Sequence, residues 1–84
     1  DMYSMLFEKG CQGGSLETIK FLRKGRTIDE ISLGLWWCCF YGHVESARWL
    51  IENGGNVNFK NKESLSCLYV SCMRGHLEVV KYLI

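Results

Sequence analysis

GHLEVVKYLI, residues Gly75 to Ile84, is the stretch on which the fold turns, because its pattern recurs 33 residues earlier as GHVESARWLI, Gly42 to Ile51. Both copies read Gly, His, apolar, Glu, two small or apolar residues, a cation, an aromatic, Leu and Ile. The match runs upstream as well: LWWCCFYG (Leu35–Gly42) overlays LYVSCMRG (Leu68–Gly75), with a Leu, an aromatic and a Cys in register. A third copy comes first. FEKGCQGGSLETIKFL, Phe7 to Leu22, keeps Gly14 and then Leu-Glu-x-Ile-Lys-Phe-Leu, but at an offset of 28, so the spacer after it is five residues short. Self-similarity at a fixed period of this length marks stacked repeats, in which no unit buries its apolar face alone.

Within each copy the later segment has helical periodicity. Apolar residues fall at Leu16, Ile19 and Leu22, at Val44, Ala47, Leu50 and Ile51, and at Leu77, Val80, Leu83 and Ile84. Spacings of three and four residues place these on one helical face. Each segment opens with a Glu (Glu17, Glu45, Glu78), where a carboxylate meets the positive end of the helix dipole. A cation follows three residues later (Lys20, Arg48, Lys81), within reach for a surface pair. Gly14, Gly42 and Gly75 mark the turn between two helices, and Gly25 and Gly54 lie where a left-handed residue closes the second. Ser66 is suited to cap the first helix of the last copy. The pattern predicts helices at Met5–Gln12, Leu16–Lys24, Leu35–Phe40, Val44–Asn53, Cys67–Met73 and from Leu77 onward.

These residues resemble the ankyrin repeat, whose unit carries a Thr-Pro-Leu-His turn, an Ala-Ala pair, Gly-His-Leu-Glu-Val-Val-Lys-x-Leu-Leu and then Gly-Ala-Asp-Val-Asn. GHLEVVKYLI matches almost verbatim, and Gly54-Gly55-Asn56-Val57-Asn58 stands where Gly-Ala-Asp-Val-Asn is expected. The resemblance spans Phe7 to Ile84. It departs from the family pattern at the turn, which reads Leu33-Gly34-Leu35-Trp36 in one copy and Ser66-Cys67-Leu68-Tyr69 in the next, and the chain has no proline. The resemblance implies an all-α solenoid of antiparallel helix pairs with β-hairpin-like loops, in copies near residues 4–31, 32–63 and 64–84, the last one truncated. Because Ile84 is apolar and no polar capping repeat follows, a segment cut from a longer array is expected.

Composition excludes several function classes. The 84 residues are 48% apolar and 23% charged, enough for a core and not a disordered composition. A net charge of +1, with Lys and Arg spread along the chain, gives no electrostatic footprint for nucleic acid. The longest apolar run, Leu33 to Tyr41 broken by Gly34, is too short to span a bilayer. No secretory signal opens the chain, which starts at Asp1. Five cysteines, an odd number with two adjacent, all fall in apolar helical segments. Reduced, buried thiols in an intracellular, cytoplasmic or nuclear protein fit this better than a disulfide scaffold.

Rival chemistries find no constellation. The glycines at Gly10, Gly13 and Gly14 lack the spacing of a phosphate loop. Cysteines with His43 and His76 do not make the double pair of closely spaced ligands that a zinc site needs. By the resemblance, Cys11, Cys39 and Cys72 replace a small core residue in successive copies, and the two histidines brace the inter-helix turn. Asp29 and Glu30, the adjacent acidic pair, have no His or Cys nearby in sequence to complete a catalytic set. No enzyme activity, cofactor, metal or small-molecule substrate is therefore expected.

By resemblance the function is protein binding, through a concave surface of first helices and loop tips. Contact candidates at the family's variable positions are Asp29, Glu30 and Ser32 in the loop before the second copy, Phe40 and Tyr41 on its first helix, and Asn53 after its second. In the last copy they are Lys62, Glu63, Leu65, Met73 and Arg74. Phe40 and Tyr41 have two open readings, as interface anchors of the type enriched at hot spots or as plugs against the shortened first copy. Asn58 occupies the Val-Asn position that resembles the site of asparaginyl hydroxylases acting on ankyrin repeats. Other classes stay open: a regulatory segment of a larger enzyme or channel, a structural spacer in a long array, or a cysteine-based redox sensor.

Overall fold

The structure, a computed structural model, describes all residues from Asp1 to Ile84. Six helices follow one another with no strand: α1 Met2–Gly13, α2 Leu16–Leu22, α3 Ile28–Tyr41, α4 Val44–Glu52, α5 Cys67–Met73 and α6 Leu77–Leu83. They form three antiparallel pairs. The first helices stack in the order α1, α3, α5, and the second helices in the order α2, α4, α6. The long α3 is therefore the middle layer and supplies seven buried residues: Ile31, Ser32, Gly34, Leu35, Trp36, Cys38 and Cys39. Phe7 and Cys11 meet it from α1, Cys67 and Val70 from α5, and Ala47 and Leu50 from α4, as one continuous core.

Local chemistry sets the helix ends. Side-chain oxygens of Asp1, Ser15, Thr27 and Ser66 each accept a backbone N–H in the first turn, satisfying one of its orphan donors. Gly14 and Gly42 stop α1 and α3 with φ of 74° and 82°, left-handed values at which a Cβ is strained.

The largest departure from expectation is the start of α3. The sequence pattern places its beginning at Leu35 and leaves Asp29, Glu30 and Ser32 in a loop. In the structure all three are helical, because Thr27 and Glu30 form a reciprocal capping box: Glu30 N–H donates to Thr27 Oγ1 at 3.1 Å and Thr27 N–H to Glu30 Oε1 at 2.8 Å. The five missing residues thus remove the projecting loop between the first two pairs and lengthen the helix instead. Its role as a tie passes to arginines. Arg26 donates to Ser4 Oγ at 2.8 Å and lies 3.6 Å from Asp1 and 3.8 Å from Glu30, joining the starts of α1 and α3. Ser4 also donates its hydroxyl to Glu30. That hydrogen bond, then the Thr27 N–H and the Arg26 charge, hold the Glu30 carboxyl below the usual carboxylate range. Arg23 donates to the Asn53 carbonyl oxygen at 3.0 Å, joining the ends of α2 and α4.

Leu33-Gly34-Leu35-Trp36, aligned above with the turn motif, lies in mid-helix. A Cβ on Gly34 would sit 2.6 Å from Cys11 Sγ and 2.9 Å from the Phe7 ring, so this glycine lets α1 and α3 approach closely. One hairpin-like loop remains, residues 53–66, closed by an antiparallel bridge between Lys60 and Ser66. Asn61 shapes its tip: its Oδ1 accepts from the N–H groups of Glu63 and Leu65 at 3.0 and 2.9 Å.

The second-helix pattern holds in the first two pairs, where Ile19, Ala47 and Leu50 are fully buried. In α6, by contrast, Leu77 and Ile84 are exposed and Val79 is the buried residue, because α6 packs on α4 and α5 alone. Two of the three surface pairs form, Arg48–Glu45 at 2.9 Å and Lys81–Glu78 at 3.8 Å.

Candidate functional site

An open cleft of about 700 Å³ lies across the face where α1, α3 and the 53–66 loop meet. Its floor is a stripe of α3: Leu33, Trp36, Trp37 and Phe40. Residues three and four apart share a helical face, and the long α3 set by Thr27 is what brings this stripe into line. Glu8 of α1 forms one wall, and Phe59, Asn61, Lys62 and Glu63 of the loop form the other.

The aromatics pack on one another as a platform. Trp36 and Phe40 stack with ring centroids 5.3 Å apart, Trp37 meets both edge-on at 5.1 and 5.4 Å, and Tyr41 stacks on Trp37 at 5.9 Å. Trp36 is anchored, donating its indole N–H to the Leu65 carbonyl oxygen at 3.0 Å, which also ties the loop to α3. Trp37 has a buried indole N–H with no acceptor in the chain. Such a donor costs about 1–3 kcal/mol when left unpaired. At the α5 end, Arg74 lies over Phe40 with Cζ 4.1 Å from the ring centroid, and 5.9 Å from that of Tyr41.

The sequence candidates divide on this geometry. Phe40, Lys62 and Glu63 line the cleft. Leu65 supports it through its carbonyl. Tyr41, Met73 and Arg74 are exposed at the ends of α3 and α5, beside it. Asn53 is occupied elsewhere, donating from Nδ2 to the Trp49 carbonyl oxygen at 2.8 Å. Asp29 is exposed and Glu30 is committed to the cap and the Arg26 cluster, both at the start of α3. Ser32 is a correction: it is 1% exposed, and its hydroxyl accepts the Asn56 N–H at 2.9 Å, so it holds the loop and offers nothing to a partner. Asn58 is exposed in the loop. Glu8, Leu33, Trp36, Trp37, Phe59 and Asn61 are cleft residues that the repeat pattern did not single out. Phase along a helix starting at Ile28 would have exposed the α3 members.

The histidines sit at the turns. His43 Nε2 donates to the Gln12 carbonyl oxygen and His76 Nε2 to that of Phe40, each at 2.9 Å. Cys11, Cys38, Cys39 and Cys67 are free thiols without exposure, while Cys72 is free and exposed, which corrects its assignment to the core. Hydrogen bonding to a neighbouring thiol, Cys11 for Cys38 and Cys67 for Cys39, and then burial push Cys38 and Cys39 far above the ordinary thiol range. No group of three or more His, Cys, Asp or Glu side chains converges on a metal position. No helix is long and apolar enough to cross a membrane.

Comparison with known proteins agrees with the helix pairs. No curated protein matches the chain. The family described as ankyrin repeats (many copies), a non-catalytic module that generally mediates protein–protein interaction, matches residues 35–84, the span of the stacked pairs from mid-α3 onward. A match over more than half the residues, on helices stacked as the repeats require, makes this chain a member of the ankyrin repeat family.

Proposed function

We propose that the chain binds a partner protein through the concave surface made by α1, α3, α5 and the 53–66 loop. The observation that carries this reading is the open aromatic cleft, a surface of Trp and Phe side chains with charged residues at its rim. Interface anchors are enriched in Trp, Tyr and Arg, and apolar cores with polar rims are the usual anatomy of binding patches. Phe40, Tyr41, Lys62, Glu63, Met73 and Arg74 are the contact residues of this reading, joined by Glu8, Leu33, Trp37 and Phe59. Ser32 and Asn53 are left out because their side chains are engaged within the chain. Division into three repeats belongs to the same reading and is supported by the three helix pairs, with the boundary expected at 31/32 moved upstream of Ile28 because α3 begins there. Four buried free thiols support an intracellular location. Exposed Asn58 is the proposed acceptor of asparaginyl hydroxylation, which mass spectrometry of the protein from its native cell checks by the gain of one oxygen atom.

A photo-crosslinking residue placed at Lys62, and separately at Lys81 on the outer helix α6, tests the binding surface in the native cell. Crosslinks to one discrete partner from position 62 and none from position 81 are expected. The reverse pattern contradicts the reading.

A further inference from the structure

A hydrogen-bond donor without a partner stands over the Phe40 ring: the Arg74 guanidinium, which rests on Phe40 and forms no ion pair within the chain. A guanidinium laid on an aromatic face is held in place while its N–H groups remain able to take a carboxylate in two parallel hydrogen bonds. Lys62 adds a second unpaired donor on the loop wall. Carboxylates are present as well, but Glu8 stands on α1, across α3 from Arg74, and Glu63 lies beside Lys62 at the loop tip. The cleft is therefore electrically polar, with its acid on the α1 wall and its guanidinium at the α5 end.

We propose that the cleft takes a short partner segment of hydrophobic–acidic character. An aromatic or large aliphatic side chain seats on the platform of Trp36, Trp37 and Phe40, and an adjacent Asp or Glu meets Arg74. This rests on the protein-binding reading above and adds the chemistry of the occupant. An apolar anchor alone would leave Arg74 unpaired, and a basic segment would bring like charge to it.

The test is a selection of phage-displayed randomised peptides on the immobilised chain, with the enriched sequences remade as fluorescein-labelled peptides and titrated by anisotropy. Enriched peptides are expected to pair Trp, Phe, Leu or Ile with Asp or Glu a few positions away, and to bind more weakly as salt rises. Arg74→Glu should weaken them at least tenfold, and selection on that variant should favour Lys and Arg. Circular dichroism and urea melts of Arg74→Glu and Phe40→Ala establish that the fold is intact. Peptides that lose binding with Phe40→Ala yet carry no acidic bias, or that tolerate Arg74→Glu, overturn this proposal and leave the binding cleft standing. Enriched peptides indifferent to Phe40→Ala, or no enrichment at all, overturn both.

Discussion

The imidazole of His76 occupies the space that a Cβ on Gly42 would need: its Nδ1 lies 2.5 Å from that position, while its Nε2 donates to the Phe40 carbonyl oxygen at 2.9 Å. His43 repeats the arrangement one helix pair earlier, over Gly14 and against Gln12. The glycine and the histidine of each Gly-His thus act in different places. Gly turns its own chain into the left-handed region, and His of the next pair fills the room left by the absent side chain. The coupling runs between repeats and helps to fix their stacking.

A direct consequence concerns two glycines of nearly equal backbone conformation. Gly42 and Gly75 have φ of 82° and 75°, but nothing stands within 4 Å of a Cβ on Gly75. Gly75→Ala should therefore cost about 1–2 kcal/mol, the left-handed penalty alone. Gly42→Ala carries the same penalty plus about 1–3 kcal/mol for displacing His76. Urea denaturation of the two variants checks the order, and equal costs would show that His76 yields without loss.

Leu50, fully buried in the middle pair, measures how far one repeat depends on its neighbours. Leu50→Ala should destabilise by about 2–5 kcal/mol, a large share of the stability of so small a domain. Lys81→Ala, at an exposed side chain paired with Glu78, should change it by less than about 0.5 kcal/mol. Denaturant midpoints of both variants give the comparison.

The thiols predict a reactivity pattern and a pH dependence. A disulfide reagent should label Cys72 alone in the native protein and all five cysteines in denaturant. Cys38 has a folded pKa raised above the unfolded value of about 8.5, so the unfolded chain releases its proton first as pH rises. Its contribution is complete below about pH 8.5 and is lost progressively above it, by up to about 1.4 kcal/mol per pH unit. Urea melts from neutral to alkaline pH should follow that slope, and Cys38→Ala should flatten it.

How much was legible in the sequence depended on whether a feature was periodic. Gly42-His43 and Gly75-His76 recur at a fixed spacing, and the helix pairs they announce stand where the repeat put them. Ser66 as a cap and Leu50 as core were equally local readings. Alignment of the family's turn with Leu33-Gly34-Leu35-Trp36 puts the start of α3 at Leu35, while the signal that sets it lies upstream in Thr27-x-x-Glu30, a capping box written in the sequence. A start at Leu35 leaves Ser32 in a loop and separates Leu33 from Trp36, Trp37 and Phe40, the stripe that floors the cleft on a helix beginning at Ile28. Exposure of Leu77 and Ile84 could not be read from periodicity, which gives the apolar face and not what covers it.

The central claim is that recognition uses the concave face, and Tyr41 and Arg74 test it against Lys81. Arg74 lies 5.9 Å from the Tyr41 ring beside the cleft, whereas Lys81 is on the outer helix α6. The decisive measurement is the affinity of the photo-crosslinked partner for Tyr41→Ala, Arg74→Ala and Lys81→Ala, by titration calorimetry on folded proteins. The account predicts at least a tenfold loss, about 1.4 kcal/mol, for either concave variant and unchanged affinity for Lys81→Ala. Weaker binding by Lys81→Ala, with both concave variants binding normally, would contradict it.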